Sequence, residues 1–140
     1  MSQTLEVRVE QVGPSTSKAT ARSHSVFVDR PAAKGGADRG PLGGELLLIA
    51  LGGCFMSNLL AAIRARDLAI ADVRITVSGT IDGTPDRFTA VALKIAASYD
   101  DAEGLRKLVT IAERACIVTN TLRETTAISF LIEEPAAKRA

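Results

Sequence analysis

The segment from Leu46 to Ile63, LLLIALGGCFMSNLLAAI, carries no charged side chain. Glu45 precedes it and Arg64 follows it. Its length reaches the lower limit of about 17 residues for a bilayer span. Three features argue against lipid. Gly52-Gly53 and Ser57-Asn58 interrupt the run. It stands alone among segments that alternate as half-buried strands do. Its flanks give no clear topology signal. No membrane association is therefore expected. A helix apolar on all sides must instead be buried all round by protein. A chain of 140 residues suits one compact domain with a sizeable core. It has trouble burying alone a helix of about six turns. A homodimer with this helix near the interface solves the problem.

The remaining segments read as sheet and a second helical region. Leu5, Val7 and Val9 alternate with Glu6, Arg8 and Glu10, a period of two that predicts a half-buried strand. Gly13 and Pro14 break it. Ala19 to Val28 predicts further strand with Val26 and Val28 on one face, closed by Asp29-Arg30-Pro31 because Pro cannot continue a ladder. Residues 31–44, PAAKGGADRGPLGG, form a loop. A phosphate cradle is the sharper reading, since the loop precedes a helix start. It lacks the GxxxxGK[ST] spacing, and a wrapping loop is preferred.

After the long helix, Val73, Ile75 and Val77 alternate with Arg74, Thr76 and Ser78. Asp82-Gly83-Thr84-Pro85 is turn chemistry. Val91, Leu93, Ile95 and Ala97 alternate next, so the two strands predict an antiparallel hairpin. Asp100-Asp101 offers a helix N-cap. Leu105, Leu108, Ala112 and Ala115 then follow helical spacing, with Cys116 on or beside that face. Ile117 to Arg123 predicts a short helix, and Ile128, Phe130 and Ile132 a final strand. The tail from Pro135 is expected to fray. The fold class is α+β with antiparallel sheet rather than a regular βαβ winding. No internal repeat or linker divides the chain.

The net charge of +1 gives no bulk attraction to nucleic acid or anionic lipid. With one Tyr, no Trp and four Phe, a base-stacking surface is not expected either. Two cysteines and one histidine are too few for a disulfide scaffold or a usual structural zinc site, and no metal or cofactor is expected. The charged, alternating N-terminus lacks the apolar core of a signal peptide, which predicts a cytoplasmic protein.

Chemistry then rests on few residues. Cys54 follows two glycines inside an apolar helix. Each glycine costs about 1 kcal/mol relative to Ala, so close helix approach or room for a ligand beside the sulfur should offset it. Taken alone, each cysteine reads first as a core residue, because free Cys is among the most buried types. A reactive pair needs a thiolate, hence a nearby cation. Arg22, Arg114 and Arg123 are the candidates. His24, on a strand, is a substrate-orienting or proton-accepting candidate, though such a residue is more often a satisfied surface side chain. Paired carboxylates and a GxSxG elbow are absent.

Three stretches carry a resemblance. GGADRGPLGGELLLIALGGC resembles the OsmC-like signature, in which a GG-x-D-x-GP loop leads into an ELLLAALGGC helix. ERACIVTNTL resembles the family's C-x-V-x-x-TL stretch, and RSHSVFVDRP the strand before the loop. Order and spacing agree over nearly the whole chain. The resemblance to the OsmC/Ohr family implies a single domain over residues 1–140. It also implies two intertwined subunits, an N-terminal sheet and long central helices packed in the dimer. It further implies a thiol-dependent peroxidase. Cys54 would attack an organic hydroperoxide or hydrogen peroxide, and Cys116 would condense with the resulting sulfenic acid. A dithiol, lipoyl-type in the Ohr branch, would reset the pair.

Ohr-type members carry an N-terminal arginine, for which Arg22 is the nearest counterpart, and a glutamate ten residues before the first cysteine. That position is Gly44 here. Glu45, nine before Cys54, points about 180° away on a regular helix, and either substitutes for that carboxylate or helps start the helix. Competing readings are a dimeric protein that binds an apolar ligand without turnover, and a structural subunit with inert thiols.

Overall fold

The computed structural model describes residues 2–133. The N-terminal region forms an antiparallel sheet of β1 (Arg8–Gln11), β2 (Ser17–Ala21) and β3 (His24–Val28), in that order. β1 is shorter than its alternation predicts, and Leu5 and Val7 lie ahead of it, exposed. The single strand expected over Ala19–Val28 is a hairpin instead. Ala21 pairs with His24, and Arg22 in the turn takes φ +56°. Two-residue hairpin turns are usually signalled by Asn-Gly, Asp-Gly or Gly-Gly. Arg22-Ser23 carries no such signal, so the apolar pattern runs through the bend unmarked.

The loop after β3 folds back over its own sheet. Its anchor is the buried carboxylate of Asp29. That group accepts from the Thr16 hydroxyl at 2.7 Å, the Arg30 N–H at 2.7 Å and the Arg39 N–H at 3.1 Å. The Thr16 bond does most to hold the Asp29 carboxyl well below the usual carboxylate range, against the opposing effect of burial. The Asp29 N–H in turn donates to the Pro41 carbonyl. Gly36 and Gly40 pass so close to the carbonyls of Arg30 and Phe27 that any Cβ would collide. The glycines of this loop are thus a packing requirement, as a wrapping loop demands.

The uncharged run lies within α1 (Gly43–Arg66). Glu45 starts it: its Oε1 accepts the Leu42 N–H at 2.8 Å, occupying a donor that the first turn would otherwise leave free. Leu51, Phe55, Leu59, Ala62 and Ile63 form the buried stripe of the helix. Ile49 and Leu60, on other faces, are 57% and 39% exposed. The helix is long and apolar enough to cross a bilayer, with a mean hydropathy of 2.2. Its buried stripe packs instead against α2 and the second sheet.

That sheet is the expected hairpin of β4 (Ile70–Asp82) and β5 (Arg87–Tyr99), with Ile75 opposite Ile95 and Val77 opposite Leu93. Val73, Ile75, Val77, Val91, Leu93 and Ile95 face the core, and their neighbours face out. α2 (Ala102–Ala115) begins at Asp101, whose carboxylate accepts the Gly104 N–H at 3.0 Å. Leu108 and Ala112 of its apolar stripe join the core, whereas Ala115 is exposed. The predicted short helix is α3 (Ile117–Arg123).

The predicted last strand does not form within the described residues. Residues 124–133 make no ladder, and Ile128, Phe130 and Ile132 are 77%, 94% and 94% exposed. Alternation says which face a residue would take, but a strand also needs an edge to pair with, and residues 124–133 are not seated on one. The tail from Pro135 lies outside the described residues. The core is small for 140 residues: Leu51, Phe55, Leu59, Ala62, Ile63, Leu108, Ala112 and Cys116.

Candidate functional site

Two helices deliver the two cysteines to one place. Cys54 sits at the middle of α1, half-buried, and packs against the core cluster that contains Cys116. Cys116 occupies the joint between α2 and α3, fully buried, and serves as C-cap of one and N-cap of the other. Both thiols are free. The Cys54 side chain is close enough to help lower the Cys116 thiol pKa.

The electrostatics of Cys116 come from dipoles. Burial pushes its thiol pKa up. The Thr119 hydroxyl and N–H, the Cys54 thiol and the Val118 N–H outweigh that effect, and the pKa is lowered from the ordinary thiol value. Val118 and Thr119 hold the second and third positions of α3. Their N–H groups are the orphan donors that an N-cap acceptor faces. They face the sulfur from farther off than a full cap bond would require, so their effect is one of aligned dipoles.

Within this chain the expected cation is not at the pair. None of the groups acting on Cys116 is charged. Arg22 sits exposed in the β2–β3 turn, beside a surface cleft with Glu6, Arg8 and Glu10. Arg114 is exposed at the end of α2. Arg123 pairs with Glu113 at 2.7 Å. Glu45 caps its own helix at the Leu42 N–H. His24 lies exposed at the start of β3. The structure therefore brings Cys54 and Cys116 together and leaves the other sequence candidates elsewhere.

Two residues that sequence reasoning passed over do touch the pair. One is Thr119. The other is Asn58, one turn beyond Cys54, whose Nδ2 donates to the Cys54 carbonyl at 3.0 Å and lies 3.9 Å from the Cys54 Sγ. The signal for Asn58 was a half-buried amide in an otherwise apolar run. In sequence Ser57-Asn58 reads only as an interruption of that run.

The glycines before Cys54 have separate reasons. A Cβ on Gly52 would lie 2.8 Å from the Val77 Cγ2, so α1 crosses β4 too closely for any side chain there. Gly53 faces open space. A Cβ on Gly44 would lie 3.5 Å from the Phe88 ring, which covers the start of the helix at the position the resemblance assigns to a glutamate.

Apolar grooves flank the site. Leu47 and Leu51 precede Cys54 by about two turns and one turn on the same helix face. With Phe88, Val91 and Leu93 of β5, and Thr119, Leu122 and Arg123 of α3, they line a groove of about 320 Å³. A second groove of about 510 Å³ lies between α1 and β4, lined by residues that include Ile49, Gly53 and Met56. No cluster of metal-ligating side chains occurs among the described residues.

No curated protein matches the chain. Residues 35–130 match the family model described as OsmC-like protein. The fold is similar to that of a hypothetical protein from Aquifex aeolicus VF5, at 17% identity and a TM-score of 0.75, covering 87% of this chain and 89% of that one. It is also similar to an OsmC like protein from Mycoplasma pneumoniae, at 17% identity and a TM-score of 0.70, covering 88% and 89%. An organic hydroperoxide resistance protein OsmC from Legionella pneumophila is 18% identical, with a TM-score of 0.60 and coverage of 86% and 90%. At these identities the structural likeness is one of fold. The sequence match spans well over half the chain and includes both cysteine motifs, and the chain accordingly belongs to the OsmC-like protein family.

Proposed function

We propose that this protein is a thiol-dependent peroxidase of organic hydroperoxides or hydrogen peroxide, acting in the cytoplasm in defence against oxidative stress. It would work as a homodimer of single-domain subunits spanning residues 1–140. The observation that carries this reading is the meeting of two free thiols, one half-buried and one fully buried, beside donors that favour a thiolate at the buried one.

The difference in burial supports the division of roles. Cys54 is the sulfur a peroxide reaches first. Its thiolate attacks one peroxide oxygen, the O–O bond breaks, and the other oxygen leaves as alkoxide and takes a proton. Cys54 is then a sulfenic acid. The Cys116 thiolate attacks the Cys54 sulfur, the S–O bond breaks, and the hydroxide leaves as water after gaining a proton. A dithiol, lipoyl-type by resemblance, exchanges with the resulting disulfide, regenerates both thiols and is itself oxidised. The groove of about 320 Å³ suits an apolar peroxide substituent. Arg22 and Glu45 keep a catalytic role only if a second subunit rearranges them toward the sulfurs.

Thiol titration before and after excess cumene hydroperoxide tests the reading. Two thiols per chain should fall to none, and the dithiol should restore both. Cys54→Ser should abolish peroxide consumption, and Cys116→Ser should leave a sulfenic acid that a dimedone-type reagent traps. Survival of both thiols in the parent protein would end the proposal.

A binding role without turnover is the second reading, favoured by the apolar lining of both grooves and by the absence of a charged group acting on Cys116. It predicts ligand-dependent thermal stabilisation that survives Cys54→Ala.

A further inference from the structure

Asn58 is an anomaly of α1. Between Leu46 and Ile63 its only polar companion is Ser57, apart from the Cys54 thiol, and Ser57 is exposed. Asn58 is half-buried on the inner side of the helix, where a leucine would pack without cost. Asn is also a weaker helix former than Leu, and its side chain competes with the backbone for hydrogen bonds. A local choice that conflicts with its surroundings is a reason to look for function.

The geometry suggests what is gained. A carboxamide presents two N–H donors at one end and an acceptor oxygen at the other. The Cys54 carbonyl can only accept, so its 3.0 Å contact fixes the NH₂ end toward Cys54. The second N–H of the same nitrogen is then directed at the sulfur, 3.9 Å away. Among the described residues, no other side chain donates to Cys54, and no cation does so.

We propose that Asn58 is the positioning residue of Cys54, clamped to its carbonyl so that the free N–H holds the sulfur toward Cys116 and then hydrogen-bonds the oxygen that the sulfur acquires. The second part rests on the peroxidase reading; the first does not. In the sulfenic state the acquired oxygen lies nearer the amide than the sulfur does. Donation to it serves the resolving step, in which that oxygen leaves as water while Cys116 forms the S–S bond.

The test has two arms. In a Cys116→Ser background, the rate of Cys54 alkylation by iodoacetamide at neutral pH is compared among Asn58, Asn58→Leu and Asn58→Asp. Asn58→Leu keeps the shape and removes both donors, and the rate should fall about tenfold to a hundredfold, the usual effect of one hydrogen bond to a charged group. Asn58→Asp keeps shape and polarity but places an anion beside the thiolate, and should fall at least as far. It also serves if the leucine variant fails to fold. With both cysteines present, a cumene hydroperoxide pulse should leave a longer-lived trappable sulfenic acid in Asn58→Leu, with kcat reduced and KM little changed. Equal alkylation rates in folded variants would overturn the proposal whatever the peroxide arm shows. Slower alkylation in a protein whose parent ignores peroxide would support the positioning role and sink the peroxidase reading alone.

Discussion

Cys116 is the N-cap of α3, three residues before Thr119, and that placement decides its chemistry. A buried thiol ordinarily keeps its proton. Here desolvation is opposed by the Thr119 hydroxyl and by N–H dipoles of a helix start, and the net shift is downward. The sign follows directly. With a lowered pKa, the thiolate is present from below the usual thiol range upward, and it is lost as pH falls through the lowered value. Thr119→Val removes the hydroxyl and keeps the shape. It should move the rise of thiolate ultraviolet absorbance to higher pH in a Cys54→Ser background, where the serine hydroxyl still donates. Disulfide formation at neutral pH should slow by roughly fivefold, the worth of about one hydrogen bond. An unmoved titration would show that the N–H dipoles alone set the sulfur. The two cysteines were legible through their motifs, but their neighbours were not. An arginine is the partner that sequence suggests for a thiolate, because charge acts at a distance. The donors that matter are the Thr119 hydroxyl and the first N–H groups of α3, and they become visible only once the helix boundary falls at residue 116.

At the scale of elements, α1 is where sequence and structure agree most closely, because an uncharged run bounded by Glu45 and Arg64 admits few alternatives. Its glycines separate two different demands. Gly52 lets the helix approach β4, and the Val77 methyl that blocks a Cβ belongs to a stiff β-branched side chain. Gly53 meets nothing within this chain. Gly52→Ala gains about 1 kcal/mol of helix propensity but incurs about 1–3 kcal/mol of overpacking, so a net loss near 1 kcal/mol is expected in urea unfolding. Gly53→Ala should gain about 1 kcal/mol if its face stays open. Should Gly53→Ala lose stability, and more so at high protein concentration, another surface must close on that face. The strand predicted around Ile128 fails for the opposite reason to the success of α1. A helix satisfies its own backbone, whereas a strand depends on a neighbour that local sequence cannot supply. The missed β2–β3 turn is a milder case, since Arg22-Ser23 bends the chain without turn-forming residues.

The whole chain exposes more surface than a finished protein of its size should. Its accessible area is 11314 Å², whereas a compact monomer of 14.7 kDa exposes about 6900 Å². The excess includes apolar side chains in two places. Ile49 and Leu60 lie on α1, and Ile128, Phe130, Leu131 and Ile132 lie beyond α3. Specific dimers bury about 1200–2000 Å² in total and intertwined ones considerably more, so a second copy is a sufficient cover for this surface. The protein should therefore sediment as a dimer at micromolar concentration, with a Tm that rises with concentration. Ile49→Glu places a charge on the exposed side of α1, away from the Leu51–Leu59 stripe that folds the subunit. It should shift the sedimentation coefficient to that of a monomer and lower the Tm, while leaving Cys54 and Cys116 in the same chain. If the parent protein sediments as a monomer, or Ile49→Glu leaves the dimer intact, the face of α1 bearing Ile49 is not the interface.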